Sequence, residues 1–142
     1  DAITRIVALA ALMPIVAGIG GNSGNQTTTL VVRGLALGEI TPDNTWHLIF
    51  KELGVGLLNG VVWGATVGVF AYVLYWSVPL GLVMAAAMVL NLLLAAAVGV
   101  AIPLIQHHLG RDPAFGSSVL LTFITDGMGF FIFLGLATVF LL

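Results

Sequence analysis

Four stretches of this chain are long and apolar enough to cross a lipid bilayer, and this constrains the fold more than any other feature. A helix rises about 1.5 Å per residue, so a hydrocarbon core about 30 Å thick needs about 20 apolar residues. Residues 3–20, 53–76, 80–105 and 113–142 meet or nearly meet that length. Backbone amides find no water in hydrocarbon, so segments of this length bond internally as helices. The expectation is an all-α, polytopic transmembrane helix bundle with four spanning helices, one transmembrane domain over residues 1–142.

Composition agrees. Only 7% of the 142 residues are charged, against about 25% in soluble domains. The net charge of −2 offers no basic field for nucleic acid, and with no cysteine there is neither disulfide nor thiolate metal site. No nucleophile elbow, phosphate loop or metalloprotease motif is present, so an enzyme is not expected.

The linkers differ in charge. Residues 27–52 hold Arg33, Glu39, Asp43, Lys51 and Glu52; residues 106–112 hold His107, His108 and Arg111. The turn from Tyr75 to Pro79 has no charge. The positive-inside rule puts both charged linkers in the cytoplasm and the Trp76 turn outside, although Arg5 then lies near the outer surface. Both chain ends fall outside. An outer N-terminus without a signal peptide implies a preceding helix. Trp46 and Trp76 read as interface anchors. Residues 27–40 form a short amphipathic candidate, either lying on the inner surface or extending the first helix.

Gly56, Gly60, Gly64 and Gly68 recur every four residues in the second helix. They form a packing face whose partner, in this chain or another, is open. Asn59 and Asn91 read as interhelical hydrogen-bonding residues. The three histidines have no ligand spacing suited to zinc.

Asp126 is the only charge in the segment VLLTFITDGMGFFIFLGLATVFLL. An ionisable group at that depth costs about 2.5–3.5 kcal/mol on insertion scales and marks an ion path or polar cavity by default. The alternative is a protonated acid bonded to a neighbouring helix. With Asp112 as N-cap and Pro113 opening the helix, Asp126 lies about 20 Å along it. Thr122 and Ser118 fall on the same face at earlier turns.

The run Gly20-Gly21-Asn22-Ser23-Gly24-Asn25-Gln26 interrupts the apolar pattern. One reading is a broken helix whose opened carbonyls and amides form an oxygen-rich collar, a recurrent cation device in membranes. The other is a helix stop at the membrane surface followed by a polar loop.

The stretch PIVAGIGGNSGNQTTTLVVRGLALGEI, residues 14–40, resembles the transmembrane domain of the MgtE magnesium channels and their solute-carrier relatives. The pattern is a proline, then GGNxGxQ, an apolar-arginine segment and GEI. Asp112-Pro113-Ala114, Thr125-Asp126, Gly129-Phe130 and Phe133–Ala137 match the same family at the other end. The resemblance implies the last four of five transmembrane helices, in longer proteins that carry a cytosolic helical domain and a tandem CBS domain. It implies a homodimer in the cytoplasmic (inner) membrane, with a pore on the two-fold axis lined by helices one and four. The family's pore carboxylate falls on Asp126 and its collar on Gly21, Asn22 and Gly24. Ser118 and Thr122 are pore-facing by helical count.

The expected function is therefore a divalent-cation channel with Mg²⁺ as the transported and bound ion. Mg²⁺ dehydrates reluctantly and prefers octahedral oxygen coordination, which two carboxylates across an axis serve through water. Two rivals remain open: a proton- or sodium-coupled carrier in which Asp126 titrates, and a non-conducting membrane subunit in which Asp126 is structural.

Overall fold

The computed structural model describes residues 2–141, with side chains from residue 7 onward. Arg5, placed by sequence near the outer surface, lies outside the described side chains. Four helices follow in order: α1 (Ala2–Ala36), α2 (Thr45–Tyr75), α3 (Val78–His108) and α4 (Ser117–Phe140). Among the described residues there is no strand, and all four helices are long and apolar enough to span a membrane. The expected all-α bundle of four spanning helices is what the chain forms.

Helix α3 is central. It packs on each of the other three, whereas α2 meets α3 along its length and touches α1 only marginally. The glycine face of α2 explains the first contact. A Cβ added at Gly56 would stand 2.9 Å from the Ala96 Cβ, at Gly60 2.9 Å from the Val89 Cα, and at Gly68 2.9 Å from the Gly81 oxygen. Only glycine allows so close an approach, so the partner of this face is α3 of the same chain. The α2–α3 turn is tight. Trp76 adopts a left-handed conformation (φ 51°), and the Ser77 hydroxyl caps α3 by accepting from the Leu80 N–H at 3.3 Å.

The largest departure from the sequence reading is in α1. The expected break across Gly20–Gln26 does not occur; the helix runs unbroken for 35 residues to Ala36. Glycine costs a helix about 1 kcal/mol relative to alanine, but here packing opposes that cost. Gly20, Gly21 and Gly24 are all buried. A Cβ on them would meet Asn91, the Thr125 hydroxyl and the Leu121 side chain, respectively. The glycines are therefore notches for neighbouring helices rather than breakers. The helix stops instead at Gly38 (φ +72°), where the Glu39 N–H returns to the Gly34 carbonyl at 2.9 Å. Residues 27–36 extend α1, which settles the amphipathic candidate in favour of extension, and the linker expected over 27–52 shrinks to 37–44.

Helix α4 begins at Ser117 rather than at Pro113. Asp112 caps a turn rather than the helix: its Oδ1 accepts from the Ala114 N–H at 3.0 Å, and Gly116 (φ +82°) redirects the chain. Buried Gln106 fastens this loop, donating to the Phe115 carbonyl at 3.3 Å and accepting from the Ser117 hydroxyl.

Candidate functional site: a polar face on two helices

Helices α1 and α4 run antiparallel in a register that four contacts define. The Ser118 hydroxyl donates to the Asn25 Oδ1 at 2.8 Å. Gly24 meets Leu121, Gly21 meets the Thr125 hydroxyl, and Gly129 meets Ala17. The buried stripe of α4 is Ser117, Leu121, Thr125, Gly129, Phe133 and Ala137, one residue every four. One position round the helix from it lie Ser118, Thr122 and Asp126. The first two are exposed and the third is half-buried.

Helix α1 presents a matching row. Asn22, Gln26 and Thr29 are exposed and Asn25 is half-buried, and together with Leu30 they line an open groove of about 630 Å³. Spacings of three and four residues put them on one helical face. The Asn25–Ser118 bond joins the two rows into one surface. Asp126 lies about 14 Å along α4 from Ser117 at 1.5 Å per residue, closer to the helix start than the sequence count from Pro113 gives. Its carboxyl has no hydrogen-bond or ion-pair partner among the described residues.

The rest of the exposed helical surface is mostly apolar: Thr66 and Thr138 bond their own helix backbones, and Arg33, His47, Lys51, His107 and His108 lie near helix ends. Helix α2 shows Leu58, Val61, Val62, Val69, Phe70 and Val73. That is a surface lipid tails cover without cost. Asn, Gln and Thr side chains are not so covered, because a polar group transferred to hydrocarbon without a partner costs several kcal/mol.

The sequence-derived site residues thus separate. Ser118 meets Asn25 directly, Thr122 and Asp126 share the α4 face of Ser118, and Asn22 shares the α1 face of Asn25. Gly21 and Gly24 do not reach the polar face: they are buried in the α1–α4 contact, and with α1 unbroken the expected collar of opened carbonyls is not formed. Asn25 and Gln26, whose amides the sequence put in the collar, lie on this face of an unbroken helix, and Thr29 joins them. The signal for Thr29 was helical spacing, hidden by reading the glycines as a break. Thr125 is fully buried and donates to its own helix at the Thr122 carbonyl, 3.3 Å away.

Polar groups off this face are mostly paired. The Asn91 Nδ2 donates to the Val16 carbonyl at 3.1 Å, an α3–α1 bond of the kind expected from sequence, whereas its Oδ1 is buried without a partner. A buried unsatisfied acceptor costs about 1–3 kcal/mol. Asn59 makes no hydrogen bond among the described residues. Glu52 is buried and accepts from the Thr27 hydroxyl at 3.5 Å. No three of His, Asp and Glu gather into a metal-ligating group among the described residues. A cation on the polar face would therefore meet one carboxylate per chain, with neutral oxygens around it.

Comparison with known proteins identifies the family. A divalent cation transporter family model, MgtE, matches residues 13–136. The "Magnesium transporter MgtE" of Bacillus subtilis is 35% identical over 99% of this chain, and that of Thermus thermophilus 37% identical over 93%. The Enterococcus faecalis protein of the same name is 32% identical over 94%. The chain spans 31%, 29% and 29% of the lengths of the Bacillus, Thermus and Enterococcus proteins. The family transports divalent cations and is not a family of enzymes; with a match covering most of its length and four spanning helices, this chain belongs to the MgtE divalent cation transporter family.

Proposed function

We propose that this chain is the ion-conducting region of a magnesium transporter. Two copies pack in the cytoplasmic membrane with the polar faces of α1 and α4 turned toward a shared aqueous path. One observation carries the reading: Asn22, Asn25, Gln26 and Thr29 share one face of α1, Ser118, Thr122 and Asp126 share one face of α4, and the Asn25–Ser118 bond links the two faces on a molecule whose exposed mid-helix surface is otherwise mostly apolar. Such a row demands water or a partner, and a second copy of the same face supplies both. The magnesium transporters similar to this chain support Mg²⁺ as the ion.

The chemistry of the row suits a hydrated cation. Mg²⁺ keeps several waters in a near-octahedral shell. Asp126 and its counterpart across the two-fold axis supply negative charge. Amide oxygens of Asn22 and Gln26 and hydroxyls of Thr122 and Ser118 accept hydrogen bonds from the water shell. Without thiolate or imidazole on the row, softer ions gain nothing over Mg²⁺ from ligand type. Gly21 and Gly24 are assigned a packing role in this reading: they let α4 approach α1 closely enough to align the two rows.

The test is Mg²⁺ uptake into proteoliposomes by the full-length protein, with wild type and Asp126→Asn compared at equal amounts of dimer. Uptake by wild type and its loss in the variant support the reading. Equal uptake by both would make Asp126 structural. Uptake abolished by collapsing a proton or sodium gradient would replace the channel with a coupled carrier.

A further inference from the structure

Asn91 belongs to α3, which adds no side chain to the polar face, yet it touches both helices that form that face. Its side chain is fully buried. On the α1 side the Nδ2 donates to the Val16 carbonyl at 3.1 Å and sits in the space left by Gly20, where a Cβ would overlap it. On the α4 side it faces Gly129, where a Cβ would stand 3.1 Å from the same nitrogen. The Gly129 position also approaches the Ala17 Cα at 3.4 Å. One amide and two glycine notches therefore fix α1, α3 and α4 at a single level. Gly129 lies about one turn beyond Asp126 on α4, on the neighbouring buried stripe.

A leucine at this position would fill similar space and leave no buried acceptor without a partner. The Val16 carbonyl lies within an unbroken helix, so the Asn91 bond is added to a ladder that holds without it. Packing alone gives no reason for an amide here. A directional bond does give one: it sets the register of α1 against α3, as buried polar residues set register in other helix assemblies. Helix α4 is then held against the same amide by shape alone, through Gly129.

We infer that Asn91 is a positioning residue for the Asp126 site, fixing from behind the spacing and register of α1 and α4 at the level of the carboxylate. The inference rests on the pore reading above. Loosening a supporting contact changes a site whose own residues are all intact.

The experiment uses the full-length protein in proteoliposomes, with Asn91→Leu beside wild type and Asp126→Asn. Asn91→Ala takes its place if the leucine variant does not yield a folded dimer. The same substitution is also placed in an Asn25→Cys/Ser118→Cys protein with no other cysteine, and the rate of disulfide formation reads the α1–α4 geometry without reference to transport. Asn91→Leu is expected to melt at or above the wild-type temperature. Its half-saturating Mg²⁺ concentration should rise about tenfold, the upper part of the range for residues acting through others, and its cross-linking rate should change. A variant that shifts only the melting temperature, with half-saturation and preference for Mg²⁺ over Ca²⁺ unchanged, would overturn the inference and leave Asn91 a packing residue. If wild type itself conducts nothing, the pore reading fails separately. Cross-linking then decides: an unchanged rate overturns the positioning role and a changed rate upholds it.

Discussion

Two helix seams of this chain, α2–α3 and α1–α4, both use glycine for close approach and end with different surfaces. Along α2–α3, Gly56, Gly60, Gly64 and Gly68 bring two backbones together, and the exposed side of α2 is mostly apolar, with Thr66 bonded to its own helix at the Val62 carbonyl. Along α1–α4, Gly21 and Gly24 make room for the Thr125 and Leu121 side chains, but the adjacent face carries Asn22, Asn25, Gln26 and Thr29. A seam of the first kind needs only lipid behind it. A seam of the second kind leaves polar groups that lipid cannot cover. Glycine spacing thus reports where helices meet, and the residues one position round report what the meeting is for.

The strongest way to break this contrast is to reverse charge on the polar seam. Asp126→Lys places a cation where a cation is proposed to pass. At about 4 Å and an effective dielectric of about 20, like charges repel by about 4 kcal/mol. Mg²⁺ uptake should fall by at least about a hundredfold, with the variant eluting as wild type does on size-exclusion chromatography. Uptake within a factor of two of wild type would remove Asp126 from the path.

The α2–α3 seam should answer in stability rather than in transport. Gly60→Val drives a branched side chain toward the Val89 Cα, which already lies 2.9 Å from where a Cβ would stand. Backbone cannot yield as a side chain does, so the cost is about 1–3 kcal/mol or more. A lower melting temperature in detergent is expected, with uptake per folded protein unchanged. If uptake per folded protein fell instead, the two seams would not be separable.

Much of this contrast was legible in the sequence. The four spanning helices and the α2 glycine face follow from length, hydropathy and a four-residue period. Asp126, Thr122 and Ser118 were placed together by helical count, and counting works because α4 is regular between them. What was not legible was the continuity of α1. Local propensity makes Gly20–Gly21 and Gly24 a break; Asn91, Thr125 and Leu121, distant in sequence, make them notches. A propensity argument has no access to such partners. The same error hid Thr29, which aligns with Asn22 and Gln26 only if the helix continues. The start of α4 was misread for a smaller reason: Asp112-Pro113 has the chemistry of a helix cap but spends it on a turn that Gly116 redirects.

On the polar seam, smaller changes should register in transport with little change in stability. Thr122→Val keeps the shape of the side chain and removes one exposed hydroxyl. If that hydroxyl bonds a water of the ion's shell, the loss is about 1 kcal/mol, or about fivefold in uptake. The melting temperature should hold or rise, since a methyl replaces a polar group on a membrane-spanning helix. Unchanged uptake would take Thr122 off the path and narrow the functional part of the row to Asp126 and α1.

The smallest expected effect concerns the bond that joins the two rows. The Asn25–Ser118 contact at 2.8 Å is the direct side-chain bond between α1 and α4 on this face. Both groups also have water as an alternative partner if the face is wet, whereas in lipid they would have none. A double-mutant cycle with Asn25→Ala and Ser118→Ala separates these cases. Interhelical hydrogen bonds in membranes average about 0.6 kcal/mol and reach about 1.7. A wet face predicts a coupling at or below the average, because water replaces each lost partner. A coupling near the upper end would mean the pair is shielded from water in the assembled protein. The aqueous path would then run past Asp126 and Thr122 without reaching the Ser118 end of the row.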